Sequence, residues 1–439
     1  MIREQAPADH ITPYDRCAWR DVEVERLLLS GQQQQELSAY FGPAEYDELR
    51  RLARAAQEPP PGAPKVRVFI VPGIMGSQLG LRRPAPHPHD VLWLDPIDIQ
   101  VGKLEVLRLQ ARAPIVPLGI VLYTYLRLKL HLRASGFDPI CYDYDWRLGV
   151  DQLGAALAER IREDASAEVM LVGHSMGGLV CRAALSAAGM QRVRRLVLLG
   201  TPNFGSFAPL QALRGTYAVV RRIAMLVSDH TAEALASGIF HSFPSLYHML
   251  PAGGIPGALD VLERGNWPRS GPQPQSSLLR DARRFQRGLP RADARVTTVV
   301  GVGQETVTAV SRRGQEFVYT ITRQGDGTVP VRSAALPGAR NHYVPVAHSE
   351  LTRDPLVAAA VTDLLRSGST SRLPTSWRSR SLAQARISDR ELRRLHARKI
   401  DWAALEPEAR RHFLENLNEP PHLRLKVPYG AAQRVSRMR

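Results

Sequence analysis

The sequence predicts an α/β fold: a doubly wound, mostly parallel sheet with a helical insertion late in the chain and helical extensions at both ends. Three observations carry this expectation. Short apolar runs alternate with helix-prone stretches from residue 66 onward, the order that builds parallel strands with helical crossovers. The run 168–172 leads directly into Gly173-His174-Ser175-Met176-Gly177, and an Ala-rich, helix-prone stretch follows to residue 190. A chain of 439 residues with 44% hydrophobic and 23% charged residues can form a sizeable core.

Taken in order, residues 1–57 read as a helical arm, with apolar spacing near 3.6 over 35–55 broken at Gly42-Pro43. The proline-rich residues 59–64 are a linker. The core opens with a β-branched strand at 66–71 that runs into the glycine-rich loop 72–79, at the end of the strand where an open α/β sheet places its site. Residues 84–98 are proline-rich and irregular, carry Trp93, and are expected to cover the site or the sheet edge. A helix over 118–135, a strand over 139–144 and a helix over 150–164 lead to the serine segment. After it come a strand at 193–199, an insertion over 207–292 with a helix at 210–227, and a strand at 295–301. A hairpin over 306–322 turns near Arg312-Arg313-Gly314. A strand at 343–347 and a helix at 351–365 close the core. The domain reading is thus an arm at 1–57, a core at 66–206 and 293–366, a cap at 207–292 and a basic extension at 370–439, helical over 389–415.

Composition excludes several classes. No apolar run is long enough to cross a membrane as a helix, and residues 1–10 have no secretory h-region. Cys17, Cys141 and Cys181 have no disulfide or metal spacing, so a cytoplasmic location is expected, with signal-independent export left open. The net charge of +16 is concentrated late, residues 366–439 holding 17 Lys and Arg against 7 Asp and Glu. Such a tail suits peripheral contact with an anionic membrane, or recruitment of the protein as a surface-binding effector. Its cations are nearly all arginine and no aromatic stacking set interleaves them, so a solvated face is the simpler reading and no nucleic-acid partner is expected.

The chemistry centres on Ser175. A G-x-S-x-G turn between strand and helix holds the serine hydroxyl above the sheet, and its glycines let strand and helix approach. Ser175, Asp326 and His348 follow the chain order of α/β-hydrolases, each at the end of a predicted strand. His348 is placed to take the serine proton and return it to the leaving alcohol, and Asp326 to orient the imidazole. His342 is the rival base but sits at the wrong end of its strand, and Asp143 and Asp145 precede the serine. His174 reads as structural. His87 and His89 form H-x-H without a third ligand, so no metal or cofactor is expected.

The segments PGIMGSQL, YDWR, GHSMGG, GTPNFGS and GDGTVP, with a histidine after them, span about 66–366 and resemble the lecithin:cholesterol acyltransferase family, which includes lysosomal phospholipase A2-type enzymes and bacterial relatives. The resemblance implies an α/β-hydrolase that cleaves lipid or other acyl esters through an acyl-enzyme on Ser175. The acyl group then passes to water or, in a phospholipid-dependent acyltransferase, to an alcohol. It implies that the backbone N–H groups of Ile74 and Met176 bind the oxyanion, and that Trp93 in Leu92-Trp93-Leu94-Asp95-Pro96 lies near the acyl site. Phe204, in GTPNFGS, and Phe243 and Tyr247, in the cap's apolar cluster, complete the candidate substrate-binding residues. Secreted members of that family carry a signal peptide and a disulfide-closed loop around this tryptophan. Neither is present here, so their lipoprotein partners are not implied.

Overall fold

The computed structural model describes residues 11–16, 18–62, 65–111, 113–227, 230–253, 259–379, 383–394 and 399–415. Cys17, parts of the 59–64 linker and the 251–257 loop, and the basic stretch 416–439 lie outside the described residues.

The centre is a six-stranded sheet running, edge to edge, Arg340–Val344, Val296–Gly301, Val193–Leu199, Val169–His174, Arg67–Val71 and Asp138–Cys141. Every pairing in it is parallel. Parallel strands buried on both faces need unbroken apolar runs, and Val169–His174 is buried at every position. Chain order reverses between Arg67–Val71 and Val169–His174, which are neighbours. At such a switch point the loops leaving the two carboxyl ends part and open a crevice.

Most predicted elements form close to the expected bounds, including Val150–Glu163 and the hairpin Thr306–Arg313 with Glu316–Thr322. Four differ. Residues 118–120 belong to a strand, Val116–Ile120, that pairs antiparallel with Ser77–Leu81. Gly119 sits at φ +140°, outside the helical region, and the helix starts only at Leu122. The helix expected over 210–227 is two, Ala208–Leu213 and Ala218–Leu226, because Gly215 at φ +67° ends the first. The irregular stretch 84–98 contains a strand, Asp90–Trp93, and the start of a short helix, Pro96–Gln100. Residues 384–388 form a strand that extends the hairpin sheet by pairing with Glu316–Thr322.

Both extensions pack on the sheet-and-helix body. The helices Asp21–Ser30 and Pro43–Ala55 bury Val24, Leu28 and Leu49 in the cluster that holds Leu122, Tyr125 and Leu126 of the helix Leu122–Ala134. Lys129 in that helix is buried yet paired with Asp21 at 2.6 Å and with Glu25. At the other end Trp402 is 1% exposed. Among the described residues no helix is long and apolar enough to cross a membrane.

Candidate active site

Ser175 follows the strand Val169–His174 directly and precedes the helix Met176–Ala184. Its backbone lies at φ +52°, ψ −126°, a strained conformation for a residue with a side chain. The turn is tight enough to require glycine on both sides. A Cβ on Gly173 would stand 2.6 Å from the Gly178 Cα, and one on Gly177 would stand 2.2 Å from the Val71 carbonyl oxygen. The Ser175 N–H donates to the Leu199 carbonyl at 2.8 Å, which ties the bend to the next strand.

The hydroxyl of Ser175 lies 2.9 Å from Nε2 of His348. Nδ1 of the same ring lies 2.8 Å from an Asp326 carboxylate oxygen. A carboxylate only accepts, so Nδ1 carries a proton and Nε2 is left to accept from the serine. The other Asp326 oxygen takes the N–H groups of Thr328 at 2.9 Å and Val329 at 2.7 Å, and the carboxylate is fixed in direction. The His348 N–H also donates to the Asp326 carbonyl at 2.8 Å, joining the two loops through the backbone. Ser175 and Asp326 are buried, whereas the His348 side chain is 14% exposed.

The other titratable candidates sit elsewhere. His342 is in mid-strand, with Nδ1 donating to the Leu373 carbonyl at 3.3 Å. Asp145 is paired with Arg147 at 2.7 Å. Burial raises the Asp143 carboxyl above its ordinary value. The His89 ring accepts the Arg83 N–H at 3.4 Å, and neither it nor His87 reaches the cavity around Ser175.

His174 has a definite place. The Gly73 N–H donates to the Tyr125 hydroxyl at 2.8 Å, that hydroxyl donates to His174 Nδ1 at 2.9 Å, and Nε2 donates to the His348 carbonyl at 3.2 Å. The chain ties the loop after the first strand to the backbone of His348. Burial, helped by the nearby His348, pushes the His174 pKa down to about 3, so the ring is neutral.

Ile74 follows Gly73 and lines the cavity, and Met176 opens the helix Met176–Ala184. Among the described residues, neither backbone N–H donates to a protein acceptor. The second lies at a helix N-terminus, where the peptide dipoles favour negative charge.

The cavity holds about 590 Å³. Of the four substrate-binding candidates, only Trp93 lines it. Its indole N–H donates to the Met75 carbonyl at 3.2 Å, and its ring meets Trp146 edge-on at 5.3 Å. The other three require correction. Phe204 is 36% exposed, and its backbone joins loops by donating to Ser333 and accepting from Ala252. Phe243 is fully buried against Trp146 and Phe240. Tyr247 is fully buried, its hydroxyl donating to the His241 carbonyl and accepting the Gln275 N–H. Leu246 and Met249 line the cavity instead. Around the short helix Pro244–His248 the positions 243 and 247 share one face and 246 and 249 another, and only packing decides which faces the cavity. Sequence reasoning also missed Tyr14, Tyr125 and Leu414, which line the cavity from distant segments without a local motif.

A parallel sheet with a serine elbow at its switch point, followed by an aspartate loop and a histidine loop, decides the architecture. The fold is that of the α/β-hydrolases. The family described as PGAP1-like alpha/beta domain matches residues 156–239, which contain the elbow. No curated protein matches. Among solved structures, the mature lipase BlEst2 of Bacillus licheniformis is 16% identical over 70% of this chain and 94% of its own, with a TM-score of 0.37. A putative aryl esterase from Burkholderia cenocepacia is 14% identical over 70% and 92%, with a TM-score of 0.30. Phospholipase PlaB from Legionella pneumophila is 9% identical over 70% of this chain and 57% of its own, with a TM-score of 0.32. None of these likenesses assigns an activity to this α/β-hydrolase.

Proposed function

We propose that this α/β-hydrolase is a serine hydrolase that cleaves lipid or other acyl esters through an acyl-enzyme on Ser175. The observation that carries the reading is the unbroken hydrogen-bonded path from the Ser175 hydroxyl through His348 to Asp326, at 2.9 and 2.8 Å.

Ser175 Oγ attacks the ester carbonyl carbon while its proton passes to His348 Nε2. The carbonyl oxygen becomes an oxyanion and takes the N–H groups of Ile74 and Met176. The carbon–oxygen bond to the alcohol then breaks, and the imidazolium gives its proton to the leaving oxygen. A water enters, loses a proton to His348 and attacks the acyl carbon. The carboxylic acid leaves, and its departure restores the Ser175 hydroxyl. Asp326 keeps the imidazole in the right tautomer and stabilises its cation throughout. His174, held neutral, adds no competing charge beside it.

Lipid esters suit the cavity because Trp93, Leu246 and Met249 offer apolar wall to an acyl chain. The motifs that resemble those of the lecithin:cholesterol acyltransferase family support the same substrate class. Transfer to an added alcohol would use the same groups, and product analysis separates the two outcomes.

The test is labelling with a fluorophosphonate, alongside ester cleavage by the unaltered protein and by Ser175→Ala. Labelling and cleavage are both expected to disappear in the variant, with kcat lower by on the order of 10⁶ and folding retained. Persistent labelling would remove Ser175 as the nucleophile.

A further inference from the structure

The cavity wall is chemically uneven. Part of it is charged: Glu350 and Arg353 come just after His348 in the chain, and the Glu305–Arg323 pair lines it as well. The loop after the first strand and the segment carrying Trp93 give an apolar wall of Ile74, Met75, Trp93 and Leu94. The leaving oxygen must come within reach of His348 Nε2 to receive its proton, so the alcohol half of an ester belongs on the charged side. The acyl chain then runs the other way, across Ile74 and Met75 toward Trp93.

Part of the wall comes from outside the core motifs. Tyr14, from the N-terminal extension, and Leu414, from the C-terminal one, both line the cavity. We infer that these two residues form the stop of the acyl subsite and set the length of acyl chain the enzyme accepts. The inference rests on the serine-hydrolase reading and refines it.

Packing holds both residues in place. The Thr12 hydroxyl bonds to the Asp95 carboxylate, and Asp15 accepts the Val91 N–H at 2.8 Å and an Arg83 N–H at 3.0 Å. Those bonds hold the short helix Pro13–Arg16, with Tyr14, beside the strand Asp90–Trp93. On the other side, the Tyr14 ring lies 6.4 Å from Trp402, and Trp402 lies 5.6 Å from Phe413, the neighbour of Leu414. Arg410 donates to the carbonyls of Trp402 at 3.1 Å and Ala403 at 2.8 Å, which binds the helix Pro407–Glu415 to the turn before it. Lys399 donates to the carbonyls of Ala224, Val227 and His230 at 2.7, 2.6 and 2.9 Å, which anchors that turn to the insertion. A wall braced in this way resists a chain that is too long. Each methylene gained or lost in an apolar pocket changes discrimination by roughly 10- to 200-fold.

The experiment uses the full-length protein and p-nitrophenyl butyrate, decanoate and palmitate. Leu414→Trp fills the end of the subsite and is expected to lower the palmitate-to-butyrate ratio of kcat/KM at least tenfold. Leu414→Ala and Tyr14→Ala open it and are expected to raise that ratio. A ratio between two substrates does not depend on how much of a variant folds, and the two residues come from opposite ends of the chain. Ratios within twofold of the parent in all three variants would overturn the inference while leaving the serine-hydrolase reading intact. Absence of Ser175-dependent cleavage in the unaltered protein would sink both.

Discussion

Asp326 and Asp389 are both buried carboxylates, 1% and 0% exposed, yet their surroundings give them opposite work. Asp389 faces Arg214, also fully buried, at 2.9 Å. It accepts the Phe317 N–H and the Tyr319 hydroxyl, while Arg214 also donates to the carbonyls of Ser270 and Pro272. Each group in that knot is satisfied and the guanidinium never gives up its proton, so the pair can only hold the C-terminal extension to the insertion. Asp326 faces an imidazole whose second nitrogen meets a serine hydroxyl beside a cavity. A buried carboxylate is therefore a staple or a chemical group according to whether its partner can exchange a proton.

The sharpest way to break this contrast is Asp326→Asn. Loss of the carboxylate disturbs the tautomer and the imidazolium, so kcat is expected to fall by on the order of 10⁴ while the thermal midpoint stays near the parent's. Near-normal turnover would show that another group orients His348. Next in effect is Arg214→Met, which leaves Asp389 buried without its cation. Denaturant unfolding should show a loss of about 3–5 kcal/mol, with turnover per folded molecule within about threefold of the parent. Adding Asp389→Leu should recover part of that loss. A single variant as stable as the parent would deny the staple.

His174 sharpens the contrast on a smaller scale. Its ring centroid lies 5.0 Å from that of His348, but burial holds it neutral down to about pH 3. In the unfolded chain it takes a proton near pH 6.5. The unfolded state then binds more protons between those values, and this group's contribution is present above pH 6.5 and is lost as pH falls toward 3. His174→Gln keeps a donor for the His348 carbonyl and should flatten the acid side of the stability curve by up to about 1.4 kcal/mol per pH unit. An unchanged curve would show that His174 does not contribute, leaving the slope to other groups such as His131, His241 and His248, whose pKa values burial also lowers.

The parts of the molecule differ in how far the sequence reveals them. The serine elbow is legible because its demands are local: a buried strand, two glycines with no room for a Cβ, and a helix that starts at once. Chain order singled out Asp326 over Asp143 and Asp145, and placement at the end of a strand singled out His348 over His342, although His348 is 173 residues from Ser175. The strand 384–388 was hidden because its pairing partner, among the described residues, is the distant hairpin strand Glu316–Thr322. Phe243 and Tyr247 were chosen as aromatic and close together, but composition does not say which side of a short helix meets a cavity. Tyr14 and Leu414 had no signal at all, since each matters only through what lies across from it.

By itself, then, the sequence determined local conformation: the alternation of strands and helices, the bend at Ser175, and the kinds of side chain available for proton transfer. Only the tertiary structure decided which buried aspartate meets an imidazole and which meets a guanidinium. It also decided which faces of the insertion turn inward and which distant segments line the cavity. The physical reason is that backbone preferences act over a few neighbouring residues. A hydrogen bond such as Arg214 to Asp389 joins positions 175 residues apart and exists only once the intervening chain has packed.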